Sequence, residues 1–209
     1  MAALALTELD VVNACLSTMG ETPLIAIDND HPYVQAALTA LNNSNAVTQG
    51  VGYWFNTDYQ TLAVDPTNGF IYAPADAIDV DAGPYALQRG RRLYDLTRSS
   101  YDMRPLFGAG PINVTVIRAV PFEDLPVLAQ QVVSYRAQLD FQQSYDGDED
   151  KYSKIGGAYT NALKLLNAEA IRQKKTNLFG GQSMRRKLNQ FRPMTHWTGA
   201  DGAPPIRRF

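Results

Sequence analysis

Apolar positions along the 209-residue chain change period twice, and those changes divide it. Near the start, Leu9, Val12, Leu16 and Met19 are spaced by three, four and three, which predicts a helix over 7–19. Thr7 with Asp10 three residues on forms a capping-box variant, and Gly20 supplies the stop. A second helix is expected over 32–49, with Pro32 in its first turn and Val34, Leu38 and Leu41 on one face, although 42–45 (Asn-Asn-Ser-Asn) is a poor helix former.

Between Gly52 and Val120 the period falls to two, and aromatic and β-branched residues are broken by Pro, Gly and Asp. Strands are expected at 54–64, 70–72, 77–80, 85–88, 92–96 and 112–120, with a hairpin about Gly90 and a longer loop over 99–111. Helical spacing returns after Pro121: Leu125, Leu128, Val132, Tyr135 and Leu139 mark one helix. Tyr152, Ile155, Tyr159, Leu163, Leu166 and Ala170 mark another over 149–174, weakened locally by Gly156 and Gly157. The pattern predicts an α+β protein: a bundle of about four helices (1–51 and 121–175) with an inserted small β domain (52–120) and an extended C-terminal arm (176–209).

Charge sharpens that last boundary. Residues 172–209 carry nine Lys or Arg against the single acid Asp201, a net +8, whereas 1–171 carry ten bases and twenty acids, a net −10. In the arm, Phe191, Trp197, Ile206 and Phe209 are too sparse to build a core. Fully extended, the arm spans about 100 Å at roughly 3.3 Å per residue. Such a segment suits docking on another protein, with the four apolar side chains as anchors and Arg185, Arg186, Lys187, Arg192, Arg207 and Arg208 supplying charge-assisted contacts.

Catalytic and metal chemistry find little support. Cys15 is the single cysteine and reads as a buried small hydrophobe; His31 and His196 lie far apart without carboxylates at ligand spacing. Asp146, Asp148 and Asp150 occupy the first, third and fifth places of a calcium loop, yet Lys151 stands where glycine is needed and Gly157 where glutamate is needed. A turn in which Asp148 caps the next helix is the favoured reading. Glu123 with Asp124 could act as an acid and base pair on a glycan, but adjacent acids at a helix start ordinarily serve the helix dipole. Trp54, Phe55 and Tyr59 read as core rather than as a ligand pocket. No run approaches the roughly 20 apolar residues of a membrane helix, and the opening residues do not form a secretory signal, so a soluble protein made inside the cell is expected, with no cofactor and no membrane partner.

Several of these segments occur in an order that resembles the tail tubular protein A family, the head-to-tail adaptors of T7-like short-tailed bacteriophages. The first helix, with Val12, Asn13 and Leu16, closes on Met19, Gly20, Glu21 and Pro23, similar to the family's Gly-Glu-x-Pro exit. Gly52, Tyr53, Trp54, Phe55 and Asn56 resemble its Gly-Trp-x-Phe-Asn, offset by one residue. The hairpin 88–95, the strand 112–118 and the helix start 123–126 also match, so the resemblance covers most of 6–174; the arm matches in role and composition only.

The resemblance implies a virion structural protein rather than an enzyme, assembled in the infected host cytoplasm into the viral tail. It implies a dodecameric ring between the portal and a nozzle of tubular protein B type, with viral DNA leaving through the lumen. In related adaptors a C-terminal extension embraces the portal, so Arg185 to Phe209 become the expected portal-binding residues. An acidic body suits a channel that does not grip DNA. The basic arm alternatively suits direct nucleic-acid contact through phosphates and base stacking.

Overall fold

The computed structural model describes residues 5–28 and 30–173; the predicted arm and its ten candidate portal-binding residues lie outside the described residues. The described part is α+β, as expected. Its helices are α1 (Glu8–Thr18), α2 (Val34–Gln49), the one-turn α3 (Arg104–Phe107), α4 (Val127–Tyr145) and α5 (Glu149–Gln173). Its strands are β1 (Thr57–Leu62), β2 (Ala77–Asp81), β3 (Ala86–Arg89), β4 (Arg92–Asp95) and β5 (Ile112–Arg118).

Local chemistry fixes the helix ends. Thr7 and Asp10 complete the capping box of α1: the Asp10 amide donates to Thr7 Oγ1 at 3.2 Å, and the Thr7 amide donates to Asp10 Oδ2 at 2.9 Å. The Thr7 amide and then the Thr7 hydroxyl, both donating to Asp10 Oδ2, hold the Asp10 carboxyl below the usual aspartate range. At the other end Gly20 adopts φ 80°, its amide donating to Ser17 O and that of Glu21 to Leu16 O, the paired bonds of a Schellman stop.

Helix α4 is the centre of the bundle and packs against α1, α2 and α5. Its apolar stripe reads as one face, but Ala129, Gln130, Val132, Val133, Ala137, Phe141 and Gln142 are all buried, because neighbours approach it from several sides. Small residues and amides on those sides let the backbones close up, and they carry no amphipathic signal. Gln130 is satisfied inside, donating to Phe122 O and accepting from the Leu6 amide at 2.9 Å. Helix α5 is held differently: along 25 residues only Ala162 and Leu166 are buried, with Tyr159, Leu163 and Ala170 partly covered.

Cys15 lies in this helical core, and burial pushes its thiol up to about 12. That leaves about a thousandfold less thiolate at mildly alkaline pH than an ordinary thiol has. A disulfide reagent is therefore expected to label the native protein only at the rate of unfolding, and to label it at once in guanidinium. Rapid stoichiometric labelling of the native chain would contradict the packing of α1.

A second core belongs to the β region. The sheet β1-β5-β2 is antiparallel throughout with β5 central, and β3 pairs β4 as a separate hairpin. Gly90, with φ 60°, turns that hairpin between Arg89 and Arg92. Val80, Ile112, Val114 and Val116 from the sheet meet Ile71, Ala73, Ala86 and Leu93 from the hairpin side.

Four expectations need correction. Residues 70–72 do not form a strand: only Tyr72 bridges to Arg92, and the segment leaves a turn over 66–68 in which Asp65 accepts from the Thr67 amide and Asn68 from the Phe70 amide. The expected loop 99–111 contains α3, started by Asp102 Oδ1 accepting from the Arg104 amide at 3.1 Å. The first strand begins at Thr57 rather than at Trp54, because 53–56 form a turn closed by Asn56. Tyr59, expected in the core, is 86% exposed; it alternates onto the outer face of β1, opposite Thr115.

Candidate functional site

The residues singled out as motif, Gly20, Glu21, Pro23, Trp54, Phe55 and Asn56, occupy two joints. At the first, the Schellman stop turns the chain out of α1, and Asn13 then grips it. The Asn13 amide nitrogen donates to Leu24 O at 2.9 Å, while its Oδ1 accepts from the Leu24 amide at 2.7 Å. Glu21 and Pro23 are exposed on the way, so Pro23 contributes chain direction rather than burial.

The second joint is where the chain passes from α2 into the sheet and later returns. Asn56, 2% exposed, accepts the Tyr53 amide at 2.8 Å and donates to Gln49 O at 3.0 Å and Arg118 O at 3.1 Å. Gln49 mirrors it: Nε2 donates to Val120 O, and Oε1 accepts from the Val120 amide, both at 2.7 Å. Asn56 and Gln49 therefore both hold the returning chain, at Arg118 O and at Val120, and Asn45 adds an acceptor to Gln49 Nε2. Composition marked 42–45 as a weak stretch of α2, yet the helix runs on to Gln49, and Asn45 Nδ2 donates across the joint to Val120 O at 3.4 Å. Tyr53 stacks on Phe55 at 5.6 Å and Trp54 meets Phe55 edge-on at 5.2 Å, all packed on the helical core, as expected for Trp54 and Phe55.

Arg118 braces the sheet just beyond this joint. Its guanidinium binds Asp58 at 2.6 Å, Asp76 at 2.5 Å and Gln60 at 2.8 Å, and the Arg118 hydrogen bond draws Asp76 below the usual carboxylate range.

The hairpin exposes a different chemistry. Arg89 lies 3.6 Å from the Tyr94 ring centre, and Arg92 lies 4.3 Å from that of Tyr101 and 5.2 Å from that of Phe70. Among the described residues, Arg89, Arg91 and Arg92 have no carboxylate at ion-pair distance, whereas Arg98 and Arg104 pair with Asp95 and Asp102. Chain-wide charge counting hid this patch, because an acidic average masks a local cluster of bases.

Asp95 organises the turn after the hairpin. Its buried Oδ1 accepts from Thr97 Oγ1 at 2.6 Å, the Thr97 amide at 2.7 Å and the Arg98 amide at 3.3 Å, with the Thr97 hydroxyl bond foremost in lowering its pKa. A depressed carboxyl stabilises the fold above 3.8, its ordinary value, and that contribution disappears as pH falls through the lower folded value. The acid limb of the melting curve should therefore start below about pH 4 and become shallower in Asp95→Asn. An unchanged acid limb in that variant would refute the assignment.

The other sequence candidates separate. Asp148 Oδ1 accepts from the Asp150 and Lys151 amides at 2.9 and 3.2 Å, the expected cap on α5. Lys151 Nζ binds Asp146 Oδ2 and Thr18 O, each at 2.7 Å, so a side-chain cation already occupies the acidic turn and ties it to the end of α1. Glu123 and Asp124 are exposed on a single 3-10 turn before α4. Between α2 and α4 lies an open groove of about 510 Å³, lined by Ala36, Ala40, Asp140, Phe141 and Tyr145; Asp140 accepts there from Ser44. Among the described residues no helix is long and apolar enough to cross a membrane.

Comparison with known proteins places this architecture. Residues 9–178 match the family described as tail tubular protein. Tail tubular protein A of Klebsiella phage KP34 is 30% identical over 149 residues, covering 68% of this chain and 76% of that protein.

Proposed function

The chain belongs to the tail tubular protein family, a family of phage tail structural components, and from that premise we propose that it is one subunit of a twelve-membered adaptor ring. The ring joins the portal to the tail nozzle, lines part of the DNA exit channel and catalyses no reaction. The match over residues 9–178 carries this reading, because it spans both the helical core and the β core rather than a single motif. Two cores joined through Asn56 and Gln49 give a subunit two unlike surfaces, and repeating heterologous contacts around an axis need just that.

The basic segment 176–209 is the portal-gripping arm in this scheme. Its net +5 and four apolar anchors favour a groove on another protein over a duplex, since aromatic residues are sparsely interleaved with its bases. Electron microscopy of the purified protein, alone and mixed with its portal, tests the proposal. Rings that bind portal, and lose it when the chain is cut after Thr176, are expected. Monomers in both samples would overturn the reading, and salt-sensitive DNA binding lost on the same truncation would reassign the arm to nucleic acid.

A further inference from the structure

The β region is a two-layered block with oppositely charged outer faces. Both layers turn their apolar positions into one core, so the alternate positions look away from each other. On the hairpin side these are Leu87, Arg89, Arg92 and Tyr94, with Tyr72 bridged to Arg92. On the sheet side they are Thr57, Tyr59, Thr61, Asn113, Thr115 and Ile117, together with Asp79 and Asp81 from β2. Two guanidinium groups thus face one way and two carboxylates the other, with no base among the outward positions of the sheet.

Arg89 and Arg92 sit directly opposite each other in the register, an arrangement that costs stability unless something offsets the repulsion. The Tyr94, Tyr101 and Phe70 rings offset part of it, hold the guanidinium planes and leave their N–H donors unmatched among the described residues. Tyr59 and Tyr72, 86% and 48% exposed, give each face an aromatic surface as well. Within one chain the two faces point apart and cannot meet. Between copies they can, and a contact of one face with the other is heterologous, the type that closes into rings.

We propose that the arginine and aromatic face of the β3-β4 hairpin docks on the acidic outer face of the β1-β5-β2 sheet in an adjacent copy of this chain. Arg89 and Arg92 meet Asp79 and Asp81 across the contact, flanked by Tyr72 and Tyr59. The assignment rests on the ring reading above and names the surfaces that build the ring.

The test uses full-length protein and charge reversal. Arg89→Glu with Arg92→Glu, and separately Asp79→Arg with Asp81→Arg, each place like charges across the contact. Each is expected to weaken subunit association by about 100-fold in sedimentation velocity at low salt. All four side chains are at the surface of their layer, and circular dichroism with thermal melting checks that each variant is folded. Mixed in equal amounts, the two variants present opposite charges at every contact, and rings should return. Wild-type rings with both variants still assembling would overturn the face assignment while leaving the ring reading intact; so would loss of rings that mixing fails to restore. A wild-type chain that is monomeric under all conditions would sink both. If the arginine variant keeps its rings but loses salt-sensitive DNA binding that the wild type possesses, the hairpin face is a nucleic-acid site and the contact is refuted.

Discussion

Phe141→Ala is expected to lower the unfolding free energy by about 4 kcal/mol, the usual range for emptying a buried phenylalanine site. Phe141 is 1% exposed, lies on the central helix, and contacts Tyr145 at 4.9 Å between ring centres. The cost depends on whether neighbours can collapse into the space. Here they are constrained: Ala36 and Ala40 line the same groove and have no length to give, and Tyr145 is already engaged edge-on with Tyr33 at 5.6 Å. For a domain of this size the loss corresponds to a melting temperature lower by about 12 °C. Differential scanning calorimetry would measure it, and a change of less than about 1 kcal/mol would mean that the groove closes over the missing ring.

Asn56→Ala should cost about 3 kcal/mol, by a different route. The substitution creates little volume but removes three hydrogen bonds and leaves the Tyr53 amide and two carbonyls poorly matched in a dry joint. Asn56→Asp separates polar matching from packing. It keeps the acceptor for Tyr53 but turns an oxygen towards Gln49 O and Arg118 O, so at neutral pH it should be less stable than the alanine variant. Acidification, which returns a donor to that carboxyl, should recover part of the loss. If Asn56→Asp melts with the wild type at neutral pH, the joint is not organised by this side chain.

How far the fold was legible depended on which side of each element was buried. Helices α1, α2 and α5 each bury one stripe, and spacing located them; α4 is covered on several sides by small residues and amides, so its stripe understated its role. Tyr59 was misplaced because an aromatic residue beside Trp54 and Phe55 invites a core reading, while strict alternation from β1 into β5 sends it outward. The joint was half visible: Trp54, Phe55 and Asn56 stood out as a motif, but Gln49 did not, since a glutamine near a helix end looks solvated until its partner Val120, 71 residues away, is brought to it. The hairpin patch was hidden for another reason. Its bases are near in sequence to Asp95 and Asp102, and only geometry reveals that those acids are committed to Arg98 and Arg104.

The thin attachment of α5 has a mechanical consequence. The helix is about 37 Å long at 1.5 Å per residue, yet its last fully buried side chain, Leu166, comes two turns before the end at Gln173, and Ile171 is 68% exposed. Tension applied at Gln173 would meet only the partly covered Ala170 before it reached Leu166. It would peel the final turns from α4 one at a time, at low force, instead of shearing the bundle. The end of α5 can therefore act as a compliant strap, absorbing strain that would otherwise reach the core of α1, α2 and α4.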